Sequence, residues 1–464
     1  MLTGVILCFI LGYLTIVFEH PLRLDKTVPA LIMAALCWAL LAVGFHNGWV
    51  SVIDSHEQVH NLATMHGGES AILAEEGFGN TLLHHLGKTA EILIFLIGAM
   101  TIVEIIDLHR GFEVLKSYVK TRKKKKLLWI VGGLGFVLSA IIDNLTATIV
   151  LVTLLRKLIA DRNDRIWFVS LIVIAANAGG AWSPIGDVTT TMLWIGNKVS
   201  ALGLIDHLVL PSIICFAVPA FIASLLPPFR GEIAIDEEED LESQRLLSSR
   251  AMLFLGLGAI VFVPAFKTIT HLPPYIGMML SLGVVWLVSE YIHPEENFSE
   301  ERRHMYSAHK ALGRIEMSSI LFFLGILMAV GALESLVFGT VMRDGQAIQV
   351  GTLRYVAEWL DTVIPNQDAV VILLGFTSAV IDNVPLVAAS MGMYDMPIDS
   401  KIWHFIAYSA GTGGSMLIIG SAAGVAAMGM ERIDFIWYLR KIAWLALVGF
   451  LSGAIFFIVE KMFF

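Results

Sequence analysis

The sequence predicts an all-α polytopic membrane protein built as an inverted repeat, with two re-entrant hairpins and two broken helices. Three observations predict it. Of 464 residues, 56% are hydrophobic and 15% charged, with a mean hydropathy of +0.76, whereas a soluble domain is closer to a quarter charged. The apolar residues fall in many runs of about 16 to 25, the length of a membrane-spanning helix. One frame occurs twice inside such runs, as Ser139-Ala140-Ile141-Ile142-Asp143-Asn144 and as Ser378-Ala379-Val380-Ile381-Asp382-Asn383. In lipid only helices and closed barrels satisfy their backbone groups, and runs this long without strict alternation read as helices.

The first elements follow from the positions of lysine and arginine, which favour the cytoplasmic side. Met1-Leu2-Thr3-Gly4 has no positively charged lead, so 2–18 reads as a retained span and not as a cleaved signal. Residues 47–87 hold no Lys or Arg but carry Asp54, Glu57, Glu69, Glu75 and Glu76, which predicts an outside loop. Residues 108–126 carry Arg110, Lys116, Lys120, Arg122 and Lys123 to Lys126, which predicts an inside segment. Spans 2–18, 27–46 and 89–107 then alternate correctly with the N-terminus outside. Within 110–121, Phe112, Leu115 and Val119 share one face and predict an interfacial amphipathic helix.

The run 127–155 is too long for one span, and both flanks are basic: Lys123 to Lys126 before it, Arg156, Lys157, Arg162 and Arg165 after it. The chain must enter from the inside and return, turning at Asp143-Asn144. An arm of about 15 residues rises roughly 22 Å, short of a hydrocarbon core of about 30 Å, so the turn sits near mid-membrane. Spans at 166–197, 204–226, 250–266, 274–292 and 317–337 put residue 345 outside. The second hairpin, 368–393 around Asp382-Asn383, has acidic flanks (Asp361, Asp368, Asp395, Asp399) and enters from the outside. Loop 293–314, with Arg302, Arg303, Lys310 and Arg314, falls inside, as does the acidic linker 227–250 with Asp236 to Asp240, which reads as polar and mobile.

Behind each hairpin lies a helix interrupted by small and polar residues. In the first half it reads Asn177-Ala178-Gly179-Gly180-Ala181-Trp182-Ser183-Pro184-Ile185-Gly186-Asp187-Val188-Thr189-Thr190; in the second, Gly411-Thr412-Gly413-Gly414-Ser415-Met416-Leu417-Ile418-Ile419-Gly420-Ser421. Glycine and proline at mid-span break a helix. Interrupted apolar segments at matching places of two halves point to a transporter binding site. The predicted organisation is N-terminal spans and outside loop (1–126), first-half hairpin and broken helix (127–200), a span and acidic linker (201–249), second-half spans (250–344), second-half hairpin and broken helix (345–430), and a C-terminal span (431–464).

A carboxylate at membrane depth is costly and marks a functional site. Asp143 and Asp382 are therefore candidate ion or proton sites, with Asn144, Thr146 and Asn383 beside them. Each also sits where a second arm begins, so ordinary capping is the competing reading, and Pro385 suits an early helical position. Asp187 either lines the site or caps 188–197. Asn177, Ser183, Thr189, Thr190, Ser409, Thr412, Ser415 and Ser421 offer oxygen ligands, or else pack helices, as small and hydroxyl residues commonly do. Segments 127–155, 166–197, 366–400 and 402–430 read as presenting carboxylates without a bound-anion lysine or arginine, which favours a cation; a backbone-only anion site is the alternative. Glu91 is a candidate for a proton path, and Glu334 resembles it. The outside histidines (His46, His56, His60, His66, His84, His85) match no zinc pattern and read as surface residues or a pH sensor. Lys123 to Lys126 is a lipid-facing patch, not a nucleic-acid site. Cys8, Cys37 and Cys215 lie in apolar runs, as core residues. No phosphate loop, nucleophile motif or redox motif is visible, so neither enzyme chemistry nor a cofactor is expected.

Blocks 139–148, 177–190, 378–385 and 411–421 together resemble the NhaD-type Na⁺/H⁺ antiporters of the ion transporter superfamily, over almost the whole chain. Relatives with other cargo carry a Ser-Asn-Thr turn at the tip, where this chain has Asp-Asn twice. The resemblance implies a dimerising scaffold domain, a transport domain holding both hairpins and both broken helices, elevator-type movement, and export of Na⁺ or Li⁺ for protons, mostly across a bacterial inner membrane, in the service of pH homeostasis. The two mid-membrane carboxylates are expected to bind either Na⁺ or Li⁺ at Asp143 and Asp382 or protons there, never both together. One departure stands out: the first break ends in Asp187-Val188-Thr189-Thr190, the second in Ser421-Ala422-Ala423-Gly424. The alternative is a cation-coupled transporter of an organic or oxo-anion on the same scaffold. A channel or an intramembrane aspartyl enzyme is the reading from another class, and inverted hairpins argue against a continuous pore.

Overall fold

The computed structural model describes all residues except 55, 64–67, 120, 234–245, 295–305, 344–345 and 464. The acidic cluster Asp236 to Asp240, Arg302, Arg303, His66 and residue 345 lie outside the described residues. In chain order the helices and strands are α1 (Leu2–Val17), α2 (Glu19–Leu22), α3 (Thr27–His46), β1 (Val52–Ile53), β2 (Val59–His60), α4 (Gly68–Leu108), α5 (Lys124–Ile142), α6 (Asn144–Leu158), α7 (Arg162–Gly180), α8 (Val188–Ile195), α9 (Ala201–Leu225), α10 (Ser249–Thr270), α11 (Pro274–Tyr291), α12 (Ala308–Leu312), α13 (Met317–Ser335), β3 (Val337–Arg343), β4 (Gln346–Gly351), α14 (Thr352–Val363), α15 (Gln367–Ser378), α16 (Asn383–Met393), α17 (Lys401–Gly413), α18 (Ala422–Glu431), α19 (Phe435–Lys441) and α20 (Ala443–Phe463). Among the described residues, seven helices are long and apolar enough to cross a membrane. The protein is a multi-pass helical membrane protein.

Both hairpins and both broken helices are present as elements: α5–α6, α15–α16, α7–α8 and α17–α18. Two expectations need correction. The supposed outside loop 47–87 is helical from Gly68 onward, because α4 runs unbroken to Leu108; its charged first half is rich in helix-forming Ala, Leu and Glu, which a hydropathy argument discounts. Segment 110–121 is a short 3₁₀ helix (Gly111–Tyr118), and Phe112, Leu115 and Val119 are buried in protein instead of facing lipid. Residues 337–343 and 346–351 pair as an antiparallel ribbon, β3 with β4, which hydropathy alone does not foresee.

The chain divides into two compact units. The first comprises 1–93, 316–370 and 384–397. In it α3 lies close along α13: a Cβ on Gly325 would stand 2.6 Å from the backbone of Ala30, and the indole of Trp38 donates to the carbonyl of Met328 at 2.8 Å. The second comprises 94–315, 371–383 and 398–464. It holds α5–α8, α17, α18 and the second hairpin tip through Asn383. Close packing between the hairpins and the broken helices depends on glycine. A Cβ on Gly179 would overlap the carbonyl oxygen of Phe136, and one on Gly413 would overlap that of Gly375.

Candidate functional site

The site is assembled where four helices begin. Asp143 is the N-cap of α6, Asp187 of α8 and Ser421 of α18, and Asn383 opens α16. Free N–H groups and the positive ends of the dipoles collect there, which favours an anionic side chain in an otherwise apolar setting.

The acidic residue placed there is Asp187. It is 3% exposed. One carboxylate oxygen accepts from Nδ2 of Asn144 at 3.0 Å, and the other from Nδ2 of Asn383 at 3.3 Å and from the hydroxyl of Thr189. The two hairpin tips thus meet on one carboxylate contributed by the first broken helix. Asn177 extends the network: its Oδ1 accepts from Asn144 Nδ2 at 3.0 Å, and its Nδ2 donates to the hydroxyls of Ser415 and Ser421, each at 2.9 Å. Seven side chains from α6, α7, α8 and its cap, the second break and the second tip are joined without a charged donor.

The remaining candidates flank this network. The carboxylate of Asp143 accepts the N–H and the hydroxyl of Thr146, both at 2.8 Å, so these two residues form the cap of α6. Asp143 does so at φ 84° and ψ 156°, a region essentially restricted to glycine. Its half-buried carboxylate lies in the field of Asp187, and Asp187 in the field of Asp382. Thr190 donates to the backbone carbonyl of Asp187 at 2.9 Å. Ser183 donates to the carbonyl of Ala140 at 2.5 Å, tying the break to the first hairpin. Glu91 lies on α4 in the first unit and is not among the side chains of the network.

Two contributors escape a reading of motifs. Ser139 donates to the carbonyl of Ala176 at 2.6 Å, and Ser378 to that of Ala410 at 2.8 Å. The repeated serine of the Ser-Ala-Xaa-Ile-Asp-Asn frame was the available signal: it fastens each hairpin to the broken helix behind it. At the far ends of α6, α7 and α18, Arg156, Arg165 and Glu431 also meet, although 275 residues separate the first from the last.

Chemically, the arrangement offers one buried carboxylate, three carboxamides and several hydroxyls. A carboxamide exchanges its acceptor for its donors by a half-turn. The same side chains can therefore surround a hard cation with oxygen, or pair with a protonated carboxyl.

A family profile described as "Citrate transporter" (CitMHS) matches residues 13–404. Sodium/proton antiporter 1 of Arabidopsis thaliana is 44% identical, over 96% of this chain and 70% of its own. The Na(+)/H(+) antiporter NhaD of Vibrio cholerae is 32% identical, over 95% of this chain and 87% of its own. The solved YdaH transporter of Alcanivorax borkumensis shares the fold at a TM-score of 0.59 and 14% identity, covering 95% of this chain and 98% of that one.

Proposed function

Because the chain belongs to the NhaD-type sodium/proton antiporters, within the family described as citrate transporters, we propose that it exchanges Na⁺ or Li⁺ for protons at the network centred on Asp187. The observation that carries this reading is the convergence of both tips on one carboxylate that is 3% exposed. With the site empty, Asp187 accepts from Asn144, Asn383 and Thr189 beside nearby helix N-termini. Cation entry turns the carboxamides of Asn144 and Asn383 so that their oxygens join Asp187, Asn177, Ser415 and Ser421, a set of hard oxygen ligands. Proton entry makes Asp187 a donor and turns one carboxamide to accept. The tip carboxylates Asp143 and Asp382 take part in the same competition, as further hard oxygen ligands beside Asp187. Na⁺ and protons thus exclude each other.

An empty, multiply anionic site is too costly to carry across hydrocarbon, so only the loaded forms cross. In this proposal the hairpins and broken helices of 127–200 and 345–430 move as an elevator. They move against a scaffold of 1–126 and 250–344 that pairs with a second copy, in a bacterial inner membrane with the N-terminus outside. Asp187 then takes a central role beside Asp143 and Asp382, on which the resemblance alone would place the exchange.

The test is Na⁺-driven proton flux in proteoliposomes with an internal pH dye. Na⁺ alone moves protons in the wild type, and Asp187→Asn abolishes that flux. Normal flux in Asp187→Asn sinks the reading. The family description as citrate transporters supports the second reading, cation-coupled anion transport. A strict need for citrate before Na⁺ moves protons would establish it.

A further inference from the structure

The cation site is held from a distance as well as from beside it. We infer that Glu431, clasped by Arg156 and Arg165, is a positioning node that fixes the relative register of α6, α7 and α18 and thereby the placing of Ser421 against Asn177 and Asn144. The inference rests on the assignment of the Asp187 network as the ion site.

The node is unusually complete. The Glu431 side chain is 1% exposed. One carboxylate oxygen accepts from Nε of Arg156 at 2.7 Å, and the other from Nε of Arg165 at 2.9 Å. Arg162 donates to the carbonyl of Glu431 at 2.9 Å and to that of Arg432 at 2.8 Å, and Arg156 also reaches the carbonyl of Met430. Arg165 further donates to the carbonyl of Ile159 at 2.7 Å, fixing the link between α6 and α7. Arg156 and Arg162 thus satisfy carbonyls at the end of α18, where the dipole is negative, and Arg156 and Arg165 neutralise a buried charge that is strongly unfavourable when left alone.

What lies at the other ends of these helices gives the node its consequence. Along α6, Asn144 and Arg156 are separated by about 18 Å; Arg165 and Asn177 are about as far apart along α7; Ser421 and Glu431 are about 15 Å apart along α18. At the site end the same three helices are joined by the bonds Asn144–Asn177 at 3.0 Å and Asn177–Ser421 at 2.9 Å. Three packed helices are pinned at both ends, by neutral hydrogen bonds at the ligand and by permanent charges away from it. An arginine stays protonated at every working pH, so the guanidinium bonds to the carbonyls of Met430, Glu431 and Arg432 hold while the site exchanges its proton. Releasing it lets α18 slide or tilt, and a small movement at the far end shifts Ser421 relative to the cation.

The test compares wild type with Glu431→Gln and Arg156→Gln in proteoliposomes; Arg156 is 45% exposed, so its variant folds even where a change at Glu431 does not. Half-saturating Na⁺ rises roughly three- to thirtyfold in Glu431→Gln, as expected for coupling of this kind. It rises less in Arg156→Gln, the maximal flux per folded molecule is kept within about twofold, and the ratio of Li⁺ to Na⁺ half-saturation changes, as a displaced ligand requires. A merely structural node predicts less folded protein with an unchanged half-saturation and an unchanged Li⁺ to Na⁺ ratio, and that result overturns the inference. Should Asp187→Asn keep full flux, the ion-site assignment itself falls. Should Asp187→Asn abolish flux while both node variants bind Na⁺ as the wild type does, the positioning role alone falls.

Discussion

The two broken helices share a backbone and differ in what they present. Asp187 stands at φ −150°, ψ 148° and Ser421 at φ −145°, ψ 151°, each as the N-cap of a short helix after a glycine-rich break. Behind each, a hairpin serine bonds to a carbonyl of the helix before the break, and a glycine admits a hairpin carbonyl. Yet the first half offers a carboxylate and, ten residues earlier, the carboxamide of Asn177, where the second offers a hydroxyl and Gly411. A Cβ on Gly411 would already stand 3.2 Å from Ala181 Cβ and 3.8 Å from the Asp187 carboxylate. The repeat therefore builds two equal frames around one charge. Symmetry of backbone does not make two equivalent sites; it lets the second half close over a charge supplied by the first.

The sharpest way to break this comparison is to exchange the two caps. Asp187→Asn should lower Na⁺-driven proton flux about a hundredfold or more, as loss of a buried charge with charge-assisted partners is worth about 3 kcal/mol. Ser421→Ala should raise half-saturating Na⁺ only several-fold, consistent with about 1 kcal/mol for one neutral hydrogen bond. The double exchange Asp187→Ser with Ser421→Asp should stay inactive, because Asn144, Asn383 and Thr189 all donate to the first-half carboxylate. Flux recovered by that exchange would show the halves to be interchangeable.

The shared frame is tested next. Gly179→Ala and Gly413→Ala should be comparably damaging, each costing about 1–3 kcal/mol or more by overpacking against a carbonyl, read as thermal stability of the detergent-purified protein. A large loss at one and none at the other would deny that the two packings are equivalent.

The hairpin tips differ more than their sequences do. α5 and α6 are joined through Asp143 alone, at a positive φ, whereas four residues separate Ser378 from Asn383 and Asp382 has no positive φ. Asp143→Ala should be less stable than Asp143→Gly by about 1–3 kcal/mol, since only glycine is at ease in that region. Asp382→Gly should gain nothing over Asp382→Ala, for want of such strain. Equal melting temperatures for the Asp143 pair would remove the distinction.

Much of this architecture was legible because it is written locally. A carboxylate inside an apolar run is costly wherever it occurs, and a glycine-rich break interrupts a helix without help from its surroundings. Hence Asp143, Asp382 and both breaks stand out in the sequence. Asp187 reads ambiguously, as cap or ligand, because its importance comes from Asn383, 196 residues away. The node at Glu431 is invisible for the same reason: an acid at a helix end beside Arg432 looks interfacial until α6 and α7 bring their arginines to it. The early start of α4 is missed on other grounds, since its charged first half is disqualified by hydropathy but not by helix propensity.

The smallest effect concerns the helix starts of α7 and α17, which carry different chemistry at the same step. Arg165 lies four residues after the cap Asp161, and His404 four residues after the cap Ser400. Arg165 meets the buried Glu431; His404 meets Asp399, in the connection before α17, at 3.2 Å. Burial pushes the Asp399 carboxyl up, but the backbone N–H of Ser200 at 2.7 Å, the Ser200 hydroxyl and His404 outweigh it and hold the group below its ordinary value. The sign follows from linkage: a depressed carboxyl stabilises the fold above its unfolded pKa and loses that contribution as pH falls through the folded value. Asp399→Asn should therefore lower the melting temperature by an amount constant from neutral pH to about pH 5, and the gap to wild type should close below about pH 4, the ordinary range of an aspartate. A gap that widens on acidification in Asp399→Asn would mean that Asp399 is held above, not below, its ordinary value, and that the connection before α17 is fastened by something other than this carboxylate.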